Sequence, residues 1–171
     1  MEIHIPLSTY RRRSHGTDGK LQSSRSKSDS VIHYVHACIR LDLSSTQIPV
    51  PDDIPPVQLC FTVRQALDST LVELFGQLTG ASLLSYDLLQ CKSKNSSSPT
   101  EFACSIILAV NGTHLDHLLT AVSLLNLDVG GFHMLGLLPA LTESERGKIV
   151  VFGEVHGVHN SLFSINFDLD S

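Results

Sequence analysis

The stretch Phe61-Thr62-Val63-Arg64-Gln65-Ala66-Leu67-Asp68-Ser69-Thr70-Leu71-Val72-Glu73-Leu74-Phe75-Gly76 decides the reading of the fold. Val63, Ala66, Leu67, Thr70, Leu71, Leu74 and Phe75 recur at i, i+3, i+4, i+7, i+8, i+11 and i+12. That spacing is one face of an amphipathic helix, interrupted by a single threonine. Thr62 stands where an N-cap belongs, with Gln65 three residues on as in a capping box. Gly76 is placed to end the helix and Gly80 to bend the chain again.

Upstream of this helix, Val31, Val35, Ala37, Ile39, Leu41 and Leu43 alternate with mostly polar neighbours, broken only at His33. A period of two predicts a strand with one buried face. Residues 44–57 carry Pro49, Pro51, Pro55 and Pro56 around Asp52-Asp53. Proline lacks the amide that a helix or strand interior needs, so a loop is expected there.

Downstream, Leu84, Tyr86 and Leu88 alternate, and a Ser/Asn/Pro loop is expected over 92–100. Phe102, Cys104, Ile106, Leu108 and Val110 then share one face, so the two runs read as a hairpin. Asn111-Gly112-Thr113 breaks the second strand, and Thr113 is expected to cap a helix with Asp116 at its third position. Leu115, Leu118, Leu119, Val122 and Leu125 form the stripe of that helix, with Asn126 as its stop. Residues 132–138 are expected as the fourth strand, 142–148 as a charged turn or short helix start, and 149–155 as a further strand-like run. Phe163, Ile165, Phe167 and Leu169 alternate with polar residues and predict an edge strand or an interaction segment.

The expected fold is therefore α+β: a single domain over 31–171, ordered β-α-β-β-α-β, with two helices on one face of an antiparallel sheet. This is the split β-α-β (ferredoxin/RRM-like) sandwich. Residues 1–30 are Ser-rich, with Arg and Lys interspersed and few large apolar groups, which predicts a disordered tail. The 171 residues, 42% hydrophobic and 17% charged, suit one domain plus such a tail. No apolar run approaches the roughly 18 residues of a membrane span. No apolar core follows a basic start, so a secretory signal is not expected.

Six of the 12 Lys and Arg residues (Arg11, Arg12, Arg13, Lys20, Arg25, Lys27) and three of the 17 acids (Glu2, Asp18, Asp29) lie in residues 1–30. Residues 31–171 thus hold six basic and 14 acidic side chains, a net charge of −8. Phosphate contacts need clustered Lys and Arg, so the domain is expected to touch protein more than nucleic acid.

The catalytic inventory is thin. Cys38, Cys60, Cys91 and Cys104 form no C-x-x-C pair and read as buried, reduced thiols. Three H-x-x-H spacings occur, His33/His36, His114/His117 and His156/His159. The first pair points to opposite faces of a strand, the second lacks a third ligand, and the third falls in a Gly-containing loop. No Walker loop, G-x-G-x-x-G or G-x-S-x-G is present. Catalytic residues, metal ligands, cofactors and small-molecule ligands are therefore expected to be none.

Leu71-Val72-Glu73-Leu74-Phe75-Gly76, Thr79-Gly80-Ala81, Leu88-Leu89, Ala103-Cys104-Ser105-Ile106-Ile107-Leu108 and the stripe Leu118, Leu119, Val122, Leu125 follow one another in a recognisable order. Over about residues 31–140 this order resembles the small, fourteen-kilodalton-type protein subunit family of eukaryotic ribonuclease P/MRP. The resemblance implies an RRM-like sandwich in a nuclear, nucleolar ribonucleoprotein that removes tRNA 5′ leaders and processes rRNA. RNA carries the chemistry there, and the subunit acts as a scaffold whose partners are other ribonuclease P/MRP protein subunits. Direct contact with the catalytic RNA stays open. The Pro-rich 44–57 loop, the Ser-rich tail and the 141–171 extension depart from the short family members, and the strands show no RNP1-type aromatic set. A ferredoxin-like regulatory or dimerisation module with no RNA role is the alternative, since the fold hosts many functions. A small histidine-dependent metal enzyme is the third reading.

Overall fold

The computed structural model describes residues 31–50, 53–77, 85–94 and 98–165. The expected tail, 1–30, lies outside these residues, as do Gly80, Leu84 and residues 166–171. Four strands, β1 (Ile32–Asp42), β2 (Tyr86–Lys94), β3 (Glu101–Asn111) and β4 (Val150–His159), form one sheet in the order β2-β3-β1-β4. Each neighbouring pair is antiparallel. Helix α1 (Pro56–Phe75) lies between β1 and β2 in the chain, α2 (Leu115–Ser123) follows β3, and α3 (Glu143–Arg146) is a single turn before β4.

The period-two reading of β1 and β3 holds from Val35 onward, while Val31 lies before β1 and is 42% exposed. Val35, Ala37, Ile39 and Leu41 from β1 join Phe102, Cys104, Ile106, Leu108 and Val110 from β3 in one core. Above them α1 supplies Leu59, Val63, Ala66, Leu67 and Leu71, and α2 supplies Leu118, Ala121 and Val122. All of these are at most 2% exposed. Both helices therefore cover the same face of the sheet.

Several expected boundaries move. Helix α1 begins at Pro56, six residues before Thr62, and Thr62 is buried inside it rather than capping it. Proline fixes φ near the helical value and needs no partner for its missing amide at the first position, so the residues that argued for a loop start the helix. Gly76, at φ +79, ends it as expected. Strand β2 continues through Lys94, so the expected loop at 92–100 is shorter. A bulge between Leu88 and Gln90 shifts its phase, which hides the alternation from a fixed period. Thr113 does not cap α2, which follows His114 without a side-chain cap; Asn111 caps the 3₁₀ turn before it, Gly112–His114, its side chain accepting from the Thr113 amide.

The expected strand at 132–138 is the main error. That segment is a 3₁₀ helix, Gly131–Leu137, and the fourth strand is the later run, β4. Met134, Leu135 and Leu137 are buried and join the same core, and the segment packs chiefly against α1. Asn126 does not stop α2, which ends at Ser123. Its carboxamide oxygen accepts from the amides of Asp128 and Val129, and its carbonyl from Gly131, which folds the turn leading into the 3₁₀ segment. Of the run expected as an edge strand or interaction segment, Leu162–Ser164 is a 3₁₀ turn with Phe163 98% exposed, and Phe167 and Leu169 lie outside the described residues. The helix start read at 142–148 is α3, held by a full capping box between Thr142 and Glu145. No described helix is long and apolar enough to cross a membrane.

Candidate interaction surface

The sheet face opposite α1 and α2 is built by the alternate residues of each strand. Antiparallel partners stand side by side on one face, so the register gives four rows across the sheet. Read from β2 to β4, they are Lys94–Ala103–Arg40–Phe152, Lys92–Ser105–Cys38–Glu154, Gln90–Ile107–His36–Gly157 and Asp87–Ala109–Tyr34–His159. The β3 column is small or short, and Ala103 and Ile107 are buried between the longer columns beside them. Lys92, Lys94 and Asp87 are exposed on the β2 edge, and Phe152 and Glu154 on the β4 edge.

Arg40 ties the rows together. One Nη atom donates to Glu101 Oε1 at 3.2 Å on β3, and the other forms an ion pair with Glu154 Oε2 at 3.3 Å on β4. Cys38 beside it is buried, and desolvation pushes its thiol up, so it is held protonated.

The histidines regroup across strands. His33 and His36 do point to opposite faces: His33 lies against Gly112, while His36 Nε2 is 2.9 Å from Ser105 Oγ on the uncovered face. His156 and His159 lie in β4, not in a loop. The register slips between His36 and Ala37, and this bulge brings the His156 ring to 5.2 Å from that of His36. His156 Nε2 is also 3.8 Å from Glu154 Oε2. The H-x-x-H spacing thus missed the contact that matters, because a bulge residue breaks the two-residue period from which faces are read. His114 and His117 have rings 6.5 Å apart, and His117 packs edge-on against Phe75. Among the described residues no three His, Cys, Asp or Glu side chains are grouped to hold a metal ion.

Two further clusters lie on the covered side. Cys60 of α1, Cys91 of β2 and Cys104 of β3 meet in and beside the core. Cys104 and burial push the Cys91 thiol up, and burial raises Cys60, so neither is primed as a nucleophile. On the outer side of α1, Asp68, Ser69, Val72 and Glu73 line a depression of about 240 Å³. Ser69 Oγ lies 2.8 Å from His133 Nε2. A serine–histidine contact resembles an activated nucleophile, but Ser69 sits mid-helix, where the surrounding amides are committed to helical bonds and offer no oxyanion hole. The contact instead joins α1 to the 3₁₀ segment.

Beside the depression, Tyr86 donates to Asp68 Oδ1 at 2.7 Å, and the Arg64 guanidinium lies 5.7 Å from the Tyr86 ring centre. Burial, then the Asp68 carboxylate, pushes the Tyr86 phenol above its ordinary value of 10.0. The unfolded chain therefore releases this proton first as pH rises. The stability due to the neutral phenol is complete below about pH 10 and is lost as pH climbs beyond it. Tyr86→Phe should flatten the alkaline limb of stability against pH, at a cost near neutrality of about 1 kcal/mol for the lost hydrogen bond. Urea unfolding across pH 7–11, the range flanking the usual tyrosine value of roughly 10, checks both.

Compared with known protein families, with characterised proteins and with solved structures, the chain matches none. The surface described above therefore stands on its own chemistry.

Proposed function

We propose that this chain is a non-catalytic protein subunit of a ribonuclease P/MRP-type ribonucleoprotein. In this reading it supports tRNA 5′-leader removal and rRNA processing as a nuclear, nucleolar scaffold. The observation that carries the reading is the strand order β2-β3-β1-β4 with α1 and α2 over one face. We read this as the split β-α-β (ferredoxin/RRM-like) sandwich that the resemblance implies. The helix end Leu74-Phe75-Gly76 and the paired strands β2 and β3 after it are among the residues on which the resemblance rests. The uncovered face offers Tyr34 and Phe152 but no aromatic residue on β3, so it is not built as an ordinary single-strand RNA reader. Its partners in this reading are other ribonuclease P/MRP protein subunits.

Affinity purification of the tagged full chain from nuclear extract, followed by identification of co-purifying protein and RNA, tests the reading. Recovery of ribonuclease P/MRP protein subunits together with the catalytic RNA is the expected result. Recovery of the chain without that RNA, under conditions in which a known subunit retrieves it, would overturn it.

A further inference from the structure

The four rows of the uncovered face are complementary to themselves about one axis. A two-fold axis parallel to the strands, midway between β3 and β1, lays β3 of one copy over β1 of the other. The same rotation lays β2 over β4 and preserves level along the strands, so each row meets its own reverse. Lys92 then faces Glu154 of the second copy, and Asp87 faces His159. The short β3 side chains Ala103, Ser105 and Ala109 face the β1 column of Arg40, Cys38 and Tyr34. Small meets large at Ala103–Arg40, Ala109–Tyr34 and Gly157–Gln90, while Ile107 meets His36 and Lys94 meets Phe152; the Lys92–Glu154 pair forms at both edges by symmetry.

We propose that this face is the interface of a face-to-face homodimer, with the chain's own second copy as the occupant. Two sheets packed this way lie within about 30° of alignment, the angle that sheet twist produces. Four strands about 4.8 Å apart and roughly nine residues long give a face of about 550 Å². The pair then buries about 1,100 Å², just past the roughly 1,000 Å² that a specific interface needs. An axis across the strands is a poorer fit. It sets Arg40 against Tyr34 and Ala103 against Ala109, large on large and small on small, although it does pair Lys94 with Asp87. The −8 charge of residues 31–171 repels at long range. At physiological salt that repulsion is screened beyond about 8 Å, while the edge pairs act in contact. The proposal does not depend on the ribonucleoprotein reading, whose test is the recovery of RNA.

Sedimentation velocity of the full chain, at micromolar concentrations and physiological salt, tests it. The expected species is a dimer. Lys92→Glu and Glu154→Lys, each alone, should weaken it by at least about tenfold, because each sets like charges together at both edges. Mixing the two variants should restore a dimer. At one edge the introduced glutamate of the first variant then meets the introduced lysine of the second, and at the other edge the native pair of Lys92 and Glu154 remains. Lys92 is exposed, so an unchanged melting temperature for Lys92→Glu separates loss of association from loss of fold. A wild-type monomer throughout the micromolar range would overturn the proposal. So would a dimer indifferent to both charge reversals, or a mixture that stays monomeric. A dimer broken by Lys94→Glu and restored by mixing with Asp87→Lys would place the axis across the strands, and would equally overturn this arrangement.

Discussion

Leu71→Ala is expected to cost about 2–5 kcal/mol of folding stability, because it deletes buried methyl groups and leaves a cavity that the surroundings fill only in part. Leu71 is 1% exposed, in the middle of the α1 stripe, and belongs to the core shared with both central strands. A loss of that size is a large share of the total for a domain of this length. Arg64 stands two turns before Leu71 on the flank of the same stripe, but toward solvent. Its side chain is 56% exposed, with Nε 3.9 Å from Asp68 Oδ2. Arg64→Ala should cost about 1 kcal/mol or less, the range for an exposed ion pair and a cation–π contact. Urea unfolding of the two variants compares a buried with an exposed position of the helix directly. Equal small losses would mean that Leu71 does not pack in the core as described.

Gly130→Ala is expected to be similarly severe, about 2–4 kcal/mol, because backbone strain and a steric clash act together. Gly130 has φ +70, where a side chain costs about 1–2 kcal/mol. A Cβ there would also collide with Thr70 Oγ1, and would stand 2.6 Å from the Ala66 carbonyl oxygen and 2.7 Å from the Thr70 amide nitrogen. Two of those atoms belong to the α1 backbone and cannot rotate away, so the 3₁₀ segment must move off the helix. Thr70 explains why the approach is so close. It is fully buried, and its hydroxyl lies 2.7 Å from the Ala66 carbonyl and 2.9 Å from the Val129 carbonyl. The threonine that interrupts the apolar stripe is thus the polar link between α1 and the Gly130 turn. Gly153→Ala makes a useful comparison at an ordinary backbone angle, since its Cβ would collide with the Val122 carbonyl oxygen of α2. Thermal melts of both variants check the expectation. A stable Gly130→Ala protein would mean that the 3₁₀ segment does not rest on α1 as described.

The sequence by itself determined the elements whose residues alternate or recur without interruption. β1 and β3 could be read side chain by side chain, because a strand buried on one face must alternate. The stripe and the Gly76 end of α1 were legible for the same kind of reason, since both express local geometry. The short helix start within 142–148 was legible too, although its capping box was not read. What failed were the places where a local rule met a tertiary one. Pro55-Pro56 argued for a loop, yet Pro56 starts α1, because proline is unfavourable inside a helix and favourable at its first turn. The apolar run around Met134 looked like a strand, because a short apolar run carries no signal that separates a strand from a buried 3₁₀ segment. Only packing against α1, made possible by the absent side chain at Gly130, decided it.

The same division holds for the uncovered face. The sequence supplied Lys92, Asp87, Glu154, Arg40 and the histidines, but their spacing along the chain says nothing of who stands beside whom. Pairing register and two bulges, one at Leu89 and one at His156, determine that. A bulge exchanges the faces of every residue beyond it, so side-chain neighbours there follow from the assembled sheet and not from a period read along one strand.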